Sequence, residues 1–319
     1  MLVGGVLFYA PDEAAGEFSS LHGILAIAAI PAFCAGFLED ITKRVGVMPR
    51  LVATMTSGAV FALLTGIWLD RLDLPLVDSL LPIAVIGIPI TAFAVAGVAN
   101  AINIIDGFNG LAGGVGVIIH LAIAAVAASV GDAAIVQLAL LGAAALLGFL
   151  LVNFPRGALF MGDGGAYLIG FFLAQLAVLL VVRNPEISPW AMAAIFCFPL
   201  AETTFSILRR VRNKRHPGHP DRVHLHSLVH ARLVKRFVAA DVPAYVSNAL
   251  VAPLLWVLAL LPALLAVQWP YDTSFLMVIA FLFCVLYNAI YARLACFRWC
   301  WRRAFGFRAR SLTAAVERR

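Results

Sequence analysis

Nine apolar runs, each long enough to cross a lipid bilayer, constrain this chain more than any other feature. They cover 20–38, 51–69, 80–99, 111–130, 134–152, 166–182, 190–207, 243–266 and 273–293. A helix needs about 20 mostly apolar residues to span the hydrocarbon layer. No water is available there to bond exposed backbone groups, so only helices and closed barrels can cross it. Runs of this length predict an all-α fold, a polytopic integral membrane bundle. Composition agrees, with 63% hydrophobic residues, 13% charged residues and a mean hydropathy of +0.97. A soluble domain carries about a quarter charged residues. The balance excludes a cytosolic globular enzyme, a disordered chain and a nucleic-acid-binding domain. Residues 1–10 are apolar but too short to cross alone, and they lack the charged start and cleavage site of a signal peptide. Read as the end of a span or as a short tilted one, they bring the expectation to about ten segments in one membrane domain covering 1–319.

The basic residues sort by loop. Lys43, Arg44, Arg50, Arg156, nine in 209–236 and eight in 293–319 make 21 on one side, against Arg71 and Arg183 on the other. Such a bias places the basic loops and the C-terminus in the cytoplasm. The outer loops read as short, with scattered charges only. Nearly all Gly, Asn, Asp and His clusters lie on the inner side, so the expected cleft faces the cytoplasm. In the basic tail, 294–319, the Arg- and Trp-rich stretch from Arg298 to Arg310 reads as an interfacial helix held by lipid headgroups. Of the five cysteines, Cys34, Cys197 and Cys284 sit in apolar runs and read as buried small hydrophobes. Prolines at 31, 82, 89, 199, 253 and 262 are expected to kink or end spans.

Four polar clusters mark the inner side. The first, Glu39, Asp40, Lys43 and Arg44, ends the span 20–38. Carboxylates at the bilayer edge are costly unless paired. They read either as an interfacial pair beside the cations or as groups that handle a proton or a metal-bound phosphate. In the second, Asn100, Asn103 and Asp106 are three apart and form one polar stripe on a helix. Gly107 and Gly110 then permit a tight turn where backbone can approach a ligand.

In the third, Asp163 stands among Gly162, Gly164 and Gly165, just before a span. A helix N-terminus keeps such a carboxylate ionised, and Mg²⁺ uses one or two carboxylates with substrate phosphates. A plain helix cap is the alternative reading. The fourth is the basic loop 209–236, which holds five of the seven histidines. Pro217 and Pro220 interrupt helix there. His224 and His226 share a face only if extended, and Arg222 then points the same way. That fork suits a diphosphate; a headgroup-binding loop and a zinc site are the alternatives. Acidic and amide oxygens, glycines and cations gathered at one membrane face fit phosphoryl transfer between a soluble nucleotide donor and a lipid acceptor.

The segments N-A-I-N-I-I-D-G-F-N-G-L-A-G-G, F-M-G-D-G-G-A-Y-L-I-G and P-D-R-V-H-L-H, in this order, resemble the polyprenyl-phosphate N-acetylhexosamine-1-phosphate transferases (glycosyltransferase family 4). That family includes the undecaprenyl-phosphate GlcNAc-1-phosphate transferases and is related to the phospho-MurNAc-pentapeptide translocase. The H-L-H ending is closer to the sugar-transferase branch. The resemblance implies a bacterial inner-membrane enzyme that moves sugar 1-phosphate from a UDP-N-acetylhexosamine to undecaprenyl phosphate and releases UMP. It implies Mg²⁺, with Mn²⁺ as an alternative, and leaves a homodimer open. It implies that Asp163 and Asn103 hold the metal, and that Asp106 and Asn109 bind the nucleotide or orient the metal shell. It puts Arg222, His224 and His226 on the pyrophosphate, and Asp40 with Glu39 and Lys43 near the lipid phosphate. Asp40, Asp106, Asp163 and His224 are the implied catalytic set.

Some positions depart from the family pattern. Glu39 stands for a usual Asp, Asn109 for a usual Asp, and Glu202 for a usual Asp. The family has a first span and a D-x-P-x-x-R-x-x-H loop before a Gly-Gly segment, and Gly4-Gly5 resembles that segment. The first span is therefore expected to be missing. The rival readings are a lipid-phosphate transporter or flippase, a membrane phosphatase or CDP-alcohol phosphotransferase, and a non-catalytic homologue. A transporter would place polar groups in mid-span, where this chain is mostly apolar.

Overall fold

The computed structural model describes residues 12–214, 223–238 and 241–296, and among them every regular element is helical. The helices are α1 (Asp12–Thr42), α2 (Val47–Thr65), the single turn α3 (Pro75–Asp78), α4 (Ala84–Ile105), α5 (Leu111–Ser129), α6 (Ala133–Asn153) and α7 (Gly162–Arg183). They continue with α8 (Pro189–Ile195), α9 (Cys197–Arg212), α10 (Leu225–Val229), α11 (Ala244–Ala249), α12 (Val251–Gln268) and α13 (Thr273–Cys296). Between α10 and α11 lie a π-helical turn, His230–Val234, and a last helical turn, Lys235–Phe237.

Among the described residues, eight helical segments are long and apolar enough to cross a membrane, and α8 with α9, bent by 76°, are so only when taken together. Each of the nine apolar runs therefore has its helix. The expected tenth segment, residues 1–10, lies outside the described residues, as does the tail beyond Cys296. The bend has a local cause. Pro199 cannot donate to the carbonyl four residues back, and its ring crowds that carbonyl. Helix α8 accordingly stops at Ile195 and α9 restarts at Cys197.

Several helix boundaries differ from the apolar runs, and two of them show why. Helix α2 ends at Thr65, four residues early, because Gly66 adopts a left-handed φ of +71° and donates its N–H to Ala62. Helix α4 runs on to Ile105 through Asn100 and Asn103. Hydropathy marks where lipid ends; backbone hydrogen bonding continues where polar side chains face protein.

Helices α5 and α7 form the centre. In each, 72% of the most apolar stretch is buried, against 22–44% in the other single-helix spans. The outer helices turn large apolar side chains outward, including Leu63, Val85, Leu151 and Val257. A lipid-facing surface requires this. Of the cysteines expected to be buried, only Cys197 is; Cys34 and Cys284 are exposed on α1 and α13.

Small residues allow the close crossings, as in many membrane bundles. A Cβ on Gly36 of α1 would meet the backbone of Asp163 and Gly164 at 2.6 Å. A Cβ on Gly170 of α7 would lie 2.6 Å from Ala99 of α4. These contacts set α1, α7 and α4 side by side.

The outer loops correct the expectation of scattered charges. Asp73 accepts from Thr273 at 2.6 Å, Ser188 at 2.9 Å and Arg71 at 2.7 Å, while Arg71 also donates to Ile187 O at 2.6 Å. Burial works to raise the Asp73 carboxyl, but the hydrogen bonds from Thr273, Ser188 and Arg71 outweigh it and hold it below its ordinary value. Asp132 caps α6 at Ile135 N and pairs with Arg183 at 2.8 Å. These knots tie the outer helix ends together.

The Gly36 crossing yields a stability prediction. Gly36→Ala must push α1 and α7 apart, at a cost of about 1–3 kcal/mol. Its thermal unfolding midpoint in detergent should fall clearly. Gly23→Ala on the same helix, where no atom lies within 4 Å, should leave the midpoint in place.

Candidate active site

Helix α7 starts at Gly162, which has a φ of +67°. A helix start leaves backbone N–H groups unbonded, and Met161 at the cap position supplies no side-chain bond. Asp40, near the end of α1, does so from across the crossing. Its Oδ1 accepts from Asp163 N at 3.0 Å and its Oδ2 from Gly164 N at 2.9 Å. Gly162 makes room, since a Cβ there would lie 2.6 Å from Asp40 Oδ2.

The backbone of Asp163 is thus held, and its side chain faces α2 and α4. Oδ1 accepts from Asn103 Nδ2 at 3.0 Å, and Oδ2 accepts from Arg50 Nη1. Helices α1, α2, α4 and α7 each send one side chain to this point: Asp40, Arg50, Asn103 and Asp163. One turn along α7, Tyr167 donates to Asn100 Oδ1 at 3.3 Å, so the Asn100–Asn103 stripe faces α7 as its spacing predicts.

Glu39 and Lys43 flank the cluster. Glu39 Oε2 accepts from Val45 N at 2.7 Å and closes the turn that leads into Arg50. Lys43 is 70% exposed and lies 3.7 Å from Asp40 Oδ1, so its cation is available at the surface.

Asp106 leaves the stripe: it ends α4 with φ −79° and ψ 53°, outside helical space. Burial first, then the negative charges of Asp163 and Asp40, push its carboxyl up to about 7. Mutually repelling carboxylates of this kind form a set of hard oxygen donors that attracts a cation. Among the described residues no group of three or more His, Cys, Asp and Glu side chains is arranged to hold a metal alone. Mg²⁺ does not require one, because it takes one or two carboxylates and fills its shell with water and phosphate. Asp163, Asn103 and Asp106 fit that chemistry.

The glycine-rich turn is built differently from the expectation. Gly110 has a φ of +80°, and a Cβ on it would strike the ring of Phe154 at 2.5 Å. Its N–H donates to Asn153 Oδ1 at 2.6 Å and its carbonyl accepts from Trp256 Nε1 at 3.1 Å. Asn109 is 8% exposed, donates its amide to Pro155 O at 3.0 Å, and its N–H bonds Asn248 Oδ1 at 2.8 Å. Gly110 therefore admits an aromatic side chain rather than a ligand, and Asn109 ties two loops together.

Gly107 lies under a histidine: a Cβ there would sit 2.9 Å from His226 Nε2. His226 stacks on His224 at 5.1 Å with an interplanar angle of 11°. Residue 224 is extended, with ψ 157°, and His226 lies in α10. The rings meet without the fully extended backbone that the two-residue spacing called for. Arg222, the third member of the expected fork, lies outside the described residues. The Asp106–Gly107 turn joins the carboxylate cluster to the histidine pair.

Sequence reasoning missed two groups. Arg50 counted only toward topology, although a cation four residues past a turn beside two carboxylates was a usable signal. Glu202 was noted as a departure from a pattern and nothing more. An acidic residue inside the apolar run 190–207 is a functional signal by itself.

Comparison with known proteins supplies a further finding. The glycosyl transferase family 4 model matches residues 22–181. The chain is 34% identical over 169 residues to a probable undecaprenyl-phosphate N-acetylglucosaminyl 1-phosphate transferase of Bacillus subtilis, covering 53% of this chain and 47% of that protein. It is 30% identical over 211 residues to a decaprenyl-phosphate N-acetylglucosaminephosphotransferase of Mycolicibacterium smegmatis, covering 59% and 50%. It is 28% identical over 238 residues to an undecaprenyl-phosphate alpha-N-acetylglucosaminyl 1-phosphate transferase of Escherichia coli strain K12, covering 72% and 64%. The chain spans about half the length of the first two relatives.

The Asp40 cap can be tested without any substrate. Asp40→Ala removes both acceptors from the start of α7, which should cost about 0.5–2 kcal/mol. Hydrogen exchange at the amides of Asp163 and Gly164 should speed up, and Asp40→Asn, which keeps one acceptor, should fall between.

Proposed function

Because the chain belongs to glycosyl transferase family 4, we propose that it transfers N-acetylhexosamine 1-phosphate from a UDP-sugar to undecaprenyl phosphate. The products are a lipid-linked pyrophosphoryl sugar and UMP, and the step initiates a cell-surface glycan such as an O-antigen or cell-wall polymer. The protein sits in the bacterial inner membrane with its site and C-terminus toward the cytoplasm. The observation that carries this reading is the convergence of Asp40, Arg50, Asn103 and Asp163 where four spans end. The names of the relatives support the lipid acceptor and the transferred group.

An oxygen of the lipid phosphate attacks the phosphorus that carries the sugar. The bond from that phosphorus to the bridging oxygen breaks, and UMP leaves with the bonding electrons. A phosphate monoester is largely ionised near neutral pH, so direct attack needs no strong base and no covalent aspartyl intermediate. Positioning and charge neutralisation remain as the main tasks. Lys43, exposed beside Asp40, draws the lipid phosphate to the membrane surface. Asp40 acts by fixing Asp163. His224 and His226, with Arg222, hold the donor pyrophosphate against the Asp106–Gly107 turn. Mg²⁺ or Mn²⁺, held by Asp163 and Asn103 beside Asp106, would neutralise charge on the pyrophosphate oxygens. Asn109 keeps the turn in shape for the nucleotide.

The test is a transfer assay in liposomes that combines undecaprenyl phosphate, Mg²⁺ and a panel of UDP-N-acetylhexosamines, with UMP release as readout. Release should require both the lipid and the divalent ion. Asp163→Asn should lower it on the order of 100-fold or more, the scale expected when a preorganised electrostatic group is removed. Release that ignores the lipid, or a folded protein silent with every donor, would overturn the proposal.

A further inference from the structure

Glu202 lies in α9, just past the Pro199 bend, and its side chain is fully buried. A buried carboxylate is costly unless paired and hydrogen-bonded. Its partners here come from the distant loop. Oε1 accepts from Leu225 N at 2.9 Å and lies 2.9 Å from His224 Nδ1. Ser206 Oγ, one turn along α9, is 3.1 Å from the same ring nitrogen. Val223, just before, is anchored too: its carbonyl accepts from Arg209 and, at 3.0 Å, from the Tyr291 hydroxyl.

We propose that Glu202 is a positioning residue for His224, fixing its ring and placing the proton on Nδ1 so that the stacked His224–His226 pair presents a set face to the Asp106–Gly107 turn. An ionised carboxylate only accepts hydrogen bonds, so Nδ1 must carry the proton and Nε2 is turned away from Glu202. His226 lies on the far side of the stack, with Nε2 over Gly107. The chain of contacts runs from a buried acid in a membrane helix, through two imidazoles, to the turn that holds Asp106. The role resembles that of a partner that orients a ligating or catalytic histidine through its other nitrogen. It rests on the proposed transfer reaction for its kinetic consequence, and on geometry alone for the tautomer.

Two measurements on the full chain in liposomes decide it. The first is ¹⁵N spectroscopy of histidine-labelled protein, with the His224 signals assigned by their loss in His224→Gln. Nδ1 should be protonated. A ring protonated at Nε2 alone would overturn the inference, and this arm needs neither turnover nor a Glu202 variant. The second is kinetics. Glu202→Gln should lower kcat about 10–100-fold while the donor KM stays within about threefold, and Glu202→Asp should recover most of the rate. Glu202→Gln combined with His224→Gln should be no slower than His224→Gln alone, because residues that act as a unit are not additive. Wild-type kcat in Glu202→Gln, a loss carried by KM, or additive losses would overturn the inference. A wild-type protein that releases no UMP counts against the transfer reaction, and the ¹⁵N result then stands as the test of the positioning role.

Discussion

The carboxylate of Asp40 on the first backbone amides of α7 is the contact on which the inner end of the bundle depends. It joins two spans far apart in sequence, and it works because Gly36 and Gly162 leave room where any side chain would collide. With its amide held, Asp163 can aim its side chain away from α1, toward Asn103 and Arg50. Four spans are thereby registered against one carboxylate. The charge logic is consistent. Asp163 sits at a helix start and pairs with Arg50, and Asp106 remains in the field of two other acids.

The opposite membrane face is anchored by other means. Asp73 gathers Arg71, Ser188 and Thr273, and Asp132 gathers Arg183 and the start of α6. Loops held this way fix the helix ends that hydrophobic packing alone would let slide. Inside a membrane that sliding is easy, because lipid tails are about as apolar as the helix surfaces. The two sets of polar ties give the bundle its register, and the central helices α5 and α7 give it a frame.

Much of this was legible in the residues themselves. Among the described residues the nine runs gave eight helices of crossing length and one bent pair, because hydropathy reports directly on apolar length. The three-residue spacing of Asn100 and Asn103 gave their common face, and the glycines around Asp163 gave a helix start. Other features were not local. Gly110 looked like a place for ligand approach, yet Phe154, from another helix end, fills the space. Asp40 looked like a group for the lipid phosphate, yet both its oxygens serve backbone 123 and 124 residues away. Arg50 and Glu202 each carried a local signal, a cation past a turn and an acid inside an apolar run, but nothing local named their partners.

The sequence by itself determined that the chain is a helical membrane protein and which acidic, amide and imidazole groups gather at the ends of its spans. These follow from solvation, because apolar length and charge placement act residue by residue. Tertiary structure decided which groups touch. Hydrogen bonds form within about 3 Å, and contacts at that range between separate helices depend on crossings set by missing side chains, as at Gly36, and on a bend set by one proline, at Pro199. The pairings of Asp40 with α7, Arg50 with Asp163 and Glu202 with His224 exist only once those crossings bring the chain together.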